Sequence, residues 1–149
     1  MIYRKATIED INLLIDLRKR QLVDEGINPD NDIDEELRDF FQNAFLSGSI
    51  IQFLAVNQGE VIASGAIVIY SFPPSYTNKS GKKAYVTNMY TRKDNRGKGI
   101  GTNILSKLVE EAKSLGISKM WLGASVLGRP VYKKFGFQET DEWMELEIK

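Results

Sequence analysis

The chain has 149 residues, with 20 basic and 20 acidic side chains and a formal net charge of zero. Because a protein that binds the nucleic-acid backbone needs a clustered excess of Lys and Arg, this balance argues against nucleic acid as the main partner. Cysteine and histidine are both absent, which excludes disulfides, zinc sites and histidine-based acid-base chemistry, and we expect no metal. The length and the 42% apolar content predict one domain over residues 1–149 with a single core.

The sequence contains no signal for a membrane or for export. The N-terminal stretch MIYRKATIED lacks an apolar signal core, and no run approaches the roughly 20 apolar residues that a bilayer-spanning helix needs. We therefore expect a cytoplasmic protein with no membrane partner.

The first third of the sequence predicts a short strand followed by two helices. Ile2–Lys5 is the strand, and Thr7 with Asp10 forms a capping-box-like start to the first helix, which should end near residues 24–26. Three acidic residues open the second helix, which should end at Gly48. Two helices therefore precede the main sheet.

The middle of the chain predicts an antiparallel hairpin. Residues 50–56 and 60–70 are rich in strand-forming residues, and the turn signal Asn57-Gln58-Gly59 separates them. Residues 71–81 contain two prolines and several polar residues, so we expect a loop there. The next strand should follow at residues 84–91.

The last third predicts an alternation of helices and strands. Residues 102–115 carry apolar positions at three- and four-residue spacing, which indicates an amphipathic helix. A strand is expected at 119–125, a short helix at 129–134 and a terminal strand at 143–148. A strand, helix and strand in this order predict a parallel crossover, with the glycine-rich turn at the carboxyl end of its strand.

That turn has glycines at Gly97, Gly99 and Gly101, immediately before a helix. Glycine lets successive backbone N–H groups point into one concavity, and the helix N-terminus adds the positive end of its dipole, so the turn suits a phosphate. An ATP loop is excluded because Lys98 precedes its glycine, and a dinucleotide fingerprint is excluded because Thr102 stands where glycine is required.

Two motifs carry a resemblance to a known family. Arg96, Gly99 and Gly101 match the pattern Arg/Gln-x-x-Gly-x-Gly/Ala, which resembles the acyl-CoA pyrophosphate loop of the GNAT N-acetyltransferases. Tyr132, followed by Gly136-Phe137, resembles the C-terminal signature of the same family. The order of predicted elements is similar to the GNAT fold across essentially the whole chain. The resemblance thus implies an α/β (α+β) fold with a mixed, mostly antiparallel sheet, a splayed parallel strand pair and helices on both faces.

The resemblance also implies acetyl-CoA as cosubstrate. In GNAT proteins the pantetheine arm binds backbone groups of the strand before the loop, and the pyrophosphate binds the loop amides. Carried over to this sequence, the cofactor-binding residues are Met89, Tyr90, Thr91, Arg96, Gly97, Lys98, Gly99, Ile100, Gly101, Thr102, Ser125 and Arg129. For Lys98 a solvated surface role is an equal alternative, and Ile100 also suits the core.

The chemistry implied by the family is direct attack of an amine on the thioester, which needs a base and an acid. Tyr132 is the expected acid, because a phenol with a pKa of about 10 is protonated at neutral pH; the alternative is a packing role. Many GNAT proteins carry a glutamate on the strand before the loop, but residues 84–91 contain no carboxylate. Asn88 could hold a water or the amine, but an amide cannot take a proton, so deprotonation would fall to a water chain or to a carboxylate from elsewhere. Glu25, at the end of the first helix, is the candidate base, and a solvated helix-end charge is the alternative.

The acceptor predicted from the family is a primary amine on a small molecule or a peptide. Acidic residues in the segments expected to form the acceptor pocket would suit a cationic amine. A non-catalytic acyl-CoA-binding module and an enzyme that modifies proteins remain alternatives. A homodimer formed through the C-terminal strands is also implied as a common arrangement in the family.

Overall fold

The computed structural model describes every residue from Met1 to Lys149. Five strands and four α-helices are present, in the order β1 (Ile2–Lys5), α1 (Ile11–Asp24), α2 (Asp34–Ser47), β2 (Ile50–Asn57), β3 (Glu60–Ser71), β4 (Lys82–Thr91), α3 (Ile100–Ser114), β5 (Met120–Trp121) and α4 (Arg129–Phe135). None of the helices combines the length and the apolar run that crossing a bilayer requires.

The five strands form one sheet in the order β1-β2-β3-β4-β5. The first four strands pair antiparallel, and β5 pairs parallel to β4. Only Ala84 with Met120 and Tyr85 with Trp121 are in register between β4 and β5, so the two strands are not paired over the rest of β4. This confirms the predicted fold: a mixed, mostly antiparallel sheet with a splayed parallel pair.

Helices cover both faces of the sheet, as predicted. On one face, α3 packs Ile104, Leu105 and Leu108 against inward residues of β2, β3 and β4. On the other, α1 and α2 pack Leu14 and Phe41 against the alternate residues of the same strands. β2 and β3 contribute to both cores because their side chains alternate between the two faces, which is why both strands are largely apolar. The single core predicted from the sequence is therefore divided by the sheet into two.

Strand β4 contains a bulge at Asn88 and Met89. The register with β3 passes from Ser64 opposite Tyr90 to Ala66 opposite Thr87, so β4 has one residue more than β3 in this stretch. Asn88 takes a left-handed conformation with φ 56°, and its carbonyl accepts a hydrogen bond of 3.2 Å from Ser64 Oγ. The bulge changes the direction of β4 just before the glycine-rich turn.

Two predicted strands differ from the structure. β5 covers only residues 120–121 rather than 119–125, because the chain turns away from β4 after its second paired residue. The terminal strand expected at 143–148 is wrong, since this segment forms no ladder with the sheet. Its apolar residues Met144, Leu146 and Ile148 are 97%, 85% and 92% exposed.

Candidate active site

The glycine-rich turn connects β4 to α3 and leaves a row of backbone donors free. Gly97 and Gly99 both have φ 78°, the left-handed region that favours glycine. The amides of residues 97–102 donate to no acceptor within the chain, and no side chain caps the start of α3. These free N–H groups, at the positive end of the dipole of a 15-residue helix, form a site suited to an anion.

A cleft of about 970 Å³ lies in front of this turn. Its walls come from three places: the end of β4 with the glycine turn, the C-terminal turn of α1, and the segment that leads from β5 into α4. The lining residues are Gln21, Asp24, Glu25, Met89, Tyr90, Thr91, Asn95, Arg96, Gly97, Gly99, Ile100, Gly101, Thr102, Leu105, Ala124, Ser125, Val126, Leu127, Gly128, Pro130, Val131 and Tyr132. The part of β4 that is not paired with β5 therefore forms one edge of the cleft.

Arg96 connects the glycine turn to two other walls of the cleft. Its Nε donates to the carbonyl oxygen of Thr91 at 2.9 Å, and its Nη2 donates to Asp24 Oδ2 at 2.8 Å. The first contact fixes the turn to the end of β4, and the second, an ion pair, fixes it to α1. Because Asp24 is paired in this way, the other carboxylate in the α1 wall, Glu25, is the one available to a ligand.

Tyr132 lies in the wall formed by the segment from β5 to α4, in the middle of α4. Burial raises the pKa of its phenol from the usual value of 10 to about 12, and the negative charge of Glu25, followed by Tyr85, contributes to the same shift. Both causes disfavour the phenolate. A phenol is protonated at neutral pH even at its ordinary pKa, so Tyr132 presents a hydroxyl there, and it lines the same cleft as Glu25.

Most residues predicted from the sequence line this one cleft. Tyr132, Glu25 and Ser125 do, together with residues 89–91 of β4 and all of 96–102 except Lys98. Lys98 is exposed. Arg129 lies instead in a neighbouring groove, where it pairs with Glu139.

The structure does not bring Asn88 into the cleft lining. Its side chain is buried in the bulge of β4, and its Nδ2 faces Gln52 Oε1 at 3.4 Å. A catalytic role for Asn88 stays a prediction, but its visible contacts are with the sheet.

Several cleft residues were missed by reasoning from the sequence. Asn95 has a side-chain oxygen, Oδ1, that is buried without any hydrogen-bond partner. Gln21 comes from α1, and residues 126–128 and 130–131 precede or open α4. A signal for Gln21 was present, since it falls on the apolar side of α1 with Leu14 and Leu17, where a buried amide needs a partner.

A family model supports the identity suggested by this geometry. The model described as the Acetyltransferase (GNAT) family matches residues 14–137. The chain belongs to this family. The matched range runs from α1 to the Gly-Phe pair after α4 and includes the entire cleft lining.

Two curated relatives, both named as N-acetyltransferases, match part of the chain. The glucosamine 6-phosphate N-acetyltransferase of Trypanosoma brucei brucei is 26% identical over 60% of this chain and 59% of its own length. The thialysine N-epsilon-acetyltransferase of Bos taurus is 31% identical over 46% of this chain and 42% of its own length. The matches thus span from about two-fifths to three-fifths of these relatives.

The match to solved GNAT structures is more extensive. A Clostridium acetobutylicum protein described as a predicted acetyltransferase, solved with acetyl-CoA, is 53% identical and superposes with a TM-score of 0.96 over 98% of this chain and 95% of its own. A glucosamine-6-phosphate N-acetyltransferase from Arabidopsis thaliana, at 22% identity and a TM-score of 0.75, shares the fold over 99% of this chain and 98% of its own.

Proposed function

We propose that this GNAT protein is an acetyl-CoA-dependent N-acetyltransferase that acts on a cationic primary amine. The observation that carries the proposal is the position of Glu25 and Tyr132. A carboxylate and a protonated phenol line the same cleft as the free amides of the glycine turn. These are the groups that anion binding, amine deprotonation and protonation of a leaving group require.

The residues present fit acetyl-CoA. The free amides of residues 97–102 would hold its pyrophosphate. The end of β4, which has no β5 partner, would hold the pantetheine arm through backbone groups of residues 89–91. The Clostridium acetobutylicum relative, whose structure contains acetyl-CoA, supports this assignment. Acetyl-CoA supplies a thioester whose carbonyl carbon is open to attack by an amine.

The chain's own residues would move the two protons. The Glu25 carboxylate accepts a proton from the ammonium group of the acceptor, which frees the nitrogen lone pair. The Tyr132 hydroxyl, protonated at neutral pH as any phenol is, donates its proton to the sulfur as the nitrogen–carbon bond forms and the carbon–sulfur bond breaks. The second proton that the attacking nitrogen must lose then returns to the Tyr132 oxygen, so that the amide and the free thiol of CoA are the products. Both groups line one cleft, so neither proton needs to cross the protein.

The charge of the cleft supports a cationic acceptor. Arg96 neutralises Asp24, which leaves Glu25 as the acidic group of the α1 wall. Both curated relatives are named for acceptors that contain an amine. Glucosamine 6-phosphate also carries an anionic phosphate, whereas thialysine carries an amine at the end of an aliphatic chain, so the thialysine enzyme is the relative that supports a cationic acceptor. A diamine, a polyamine or a lysine-like side chain fits this arrangement better than an acidic acceptor does.

The proposal is tested by measuring release of CoA from acetyl-CoA with a thiol reagent. The acceptor panel contains diamines, polyamines, amino acids, amino sugars and short peptides. Since the chain has no cysteine, the protein adds no background. We expect release that depends on a cationic amine and falls at least tenfold in Glu25→Gln.

A non-catalytic acyl-CoA-binding module predicts a different result. Such a protein would be stabilised against heat by acetyl-CoA but would release no CoA with any amine. If acetyl-CoA stabilises the protein against heat but no amine in the panel causes CoA release, the proposed transferase is wrong and the binding module is supported.

A further inference from the structure

The C-terminal turn of α1 contains a chain of hydrogen bonds that ends at Glu25. Arg18 Nη1 donates to Gln21 Oε1 at 3.4 Å, and Gln21 Nε2 donates to Glu25 Oε1 at 3.2 Å. The three residues are spaced by three and four positions, so they lie on one face of the helix. Both bonds are partly buried, unlike most side-chain pairs on a helix surface.

The chain of bonds has a direction that suits a carboxylate at its end. A side-chain amide has a donor end and an acceptor end. The guanidinium of Arg18 can only donate, so it selects the oxygen of Gln21 and turns the NH₂ group toward Glu25. Bonds aligned in this way polarise one another.

Gln21 is well placed to hold the carboxylate still. It is only 7% exposed, so its side chain is fixed by the surrounding core, whereas Glu25 follows the last residue of α1 and is exposed. An exposed glutamate at a helix end would otherwise sample several rotamers. Gln21 and Glu25 both line the cleft, and the charge of Glu25 acts on Tyr132.

We infer that Gln21 is a positioning residue, oriented by Arg18, that holds the Glu25 carboxylate toward Tyr132 and the acceptor amine. This inference rests on the proposed function, because the hydrogen bond from Gln21 to Glu25 matters for catalysis only if Glu25 receives the proton of the amine. Losing the bond would release Glu25 without removing it. Misplacement of a reacting group by about 1 Å can cost roughly a hundredfold in rate.

The experiment compares Gln21→Met, which keeps the length of the side chain but removes both polar atoms, with the wild type. We expect kcat with a cationic amine to fall roughly tenfold or more, while the Kd for acetyl-CoA and the melting temperature change little. Gln42→Met, at an exposed position of α2, is the matched control and should keep wild-type turnover.

Two further comparisons separate positioning from a structural effect. In a Glu25→Gln background, adding Gln21→Met should lower kcat by less than about twofold, because the carboxylate that Gln21 positions is already gone. Arg18→Lys keeps a donor and should retain most of the activity, whereas Arg18→Met should lose it in part. Arg20→Met, an exposed arginine on the same helix, controls for loss of charge.

The outcomes distinguish the positioning role from the proposed function. If Gln21→Met keeps full turnover while Glu25→Gln does not, the positioning role is overturned and the proposed function stands. If Gln21→Met is equally damaging with and without Glu25, Gln21 acts by another route and the inference is also overturned. If Glu25→Gln itself is fully active, the base assignment fails and the inference fails with it.

Discussion

Tyr132 is the single residue whose hydroxyl supplies the proton for the departing sulfur in the proposed reaction. Tyr132→Phe removes this proton donor and keeps the ring that packs against Phe137. We expect kcat to fall roughly a hundredfold, the typical contribution of general acid catalysis, with the Kd for acetyl-CoA nearly unchanged. Steady-state CoA release and calorimetric titration measure the two quantities. A loss of only a few-fold would leave Tyr132 a packing residue.

The raised pKa of Tyr132 also predicts a pH dependence of stability. A phenol whose pKa is about 12 in the folded protein and about 10 when unfolded stabilises the fold fully below pH ~10. That contribution declines as the pH rises from about 10 through 12. The free energy of unfolding of wild type minus that of Tyr132→Phe should therefore fall over this window, as measured by denaturant titration. A flat difference would show that the phenol is not held in its neutral form.

Some residues of the site were predictable and others were not. Arg96, Gly99 and Tyr132 stand in short motifs whose spacing is visible in the sequence, and all three line the cleft. Gln21 and Asn95 belong to no motif and reach the cleft only because α1 and the turn after β4 pack together there. Asn88 shows the converse, since a bulge directs its side chain to Gln52, and nothing in a strand-like run marks that bulge.

At the scale of elements, the start of α3 should be sensitive to the conformation of its glycines. Gly99→Val places a β-branched residue at φ 78°, which strains the turn and misaligns its free amides. We expect the affinity for acetyl-CoA to fall at least tenfold, as measured by calorimetry.

Gly116→Val is the matched control for this change. Gly116 follows the other end of α3, has φ 72° and, like Gly99, has open space where the Cβ of a larger residue would lie. Both variants should lose similar stability, but only Gly99→Val should lose affinity. Equal affinities in the two variants would contradict the assignment of the turn to the pyrophosphate.

Helices and strands were predictable where the local sequence pattern agrees with the way the segment packs in the fold. The hairpin of β2 and β3 and the amphipathic α3 follow directly from turn residues and apolar spacing, and the structure confirms both. The strand predicted at 143–148 failed because alternation shows only that a segment is able to pair. Pairing needs a free edge beside it, and the chain places residues 144–148 away from β5.

At the scale of the whole molecule, the exposed C-terminal segment bears on the predicted homodimer. Residues 144–148 present an alternating apolar face to solvent, and a groove of about 760 Å³ lies between β5, α4 and residues 137–143. A homodimer through this segment stays a prediction. If the dimer forms in this way, the wild type should sediment as a dimer and the double variant Leu146→Lys/Ile148→Lys as a monomer.

Leu46→Lys provides the control for this pair, since Leu46 is an exposed apolar residue on α2, outside the groove, and its replacement should leave the dimer intact. A wild-type protein that sediments as a monomer at tens of micromolar would contradict the predicted homodimer.

Mass spectrometry of the acceptor, after incubation with acetyl-CoA and either the wild type or the Glu25→Gln/Tyr132→Phe double variant, tests directly whether this cleft transfers the acetyl group. We expect a cationic diamine to gain one acetyl group with the wild type, and we expect the double variant, although it still binds acetyl-CoA, to make at least a hundredfold less product. Equal yields from the two proteins would contradict the assignment of the acid and the base to this cleft.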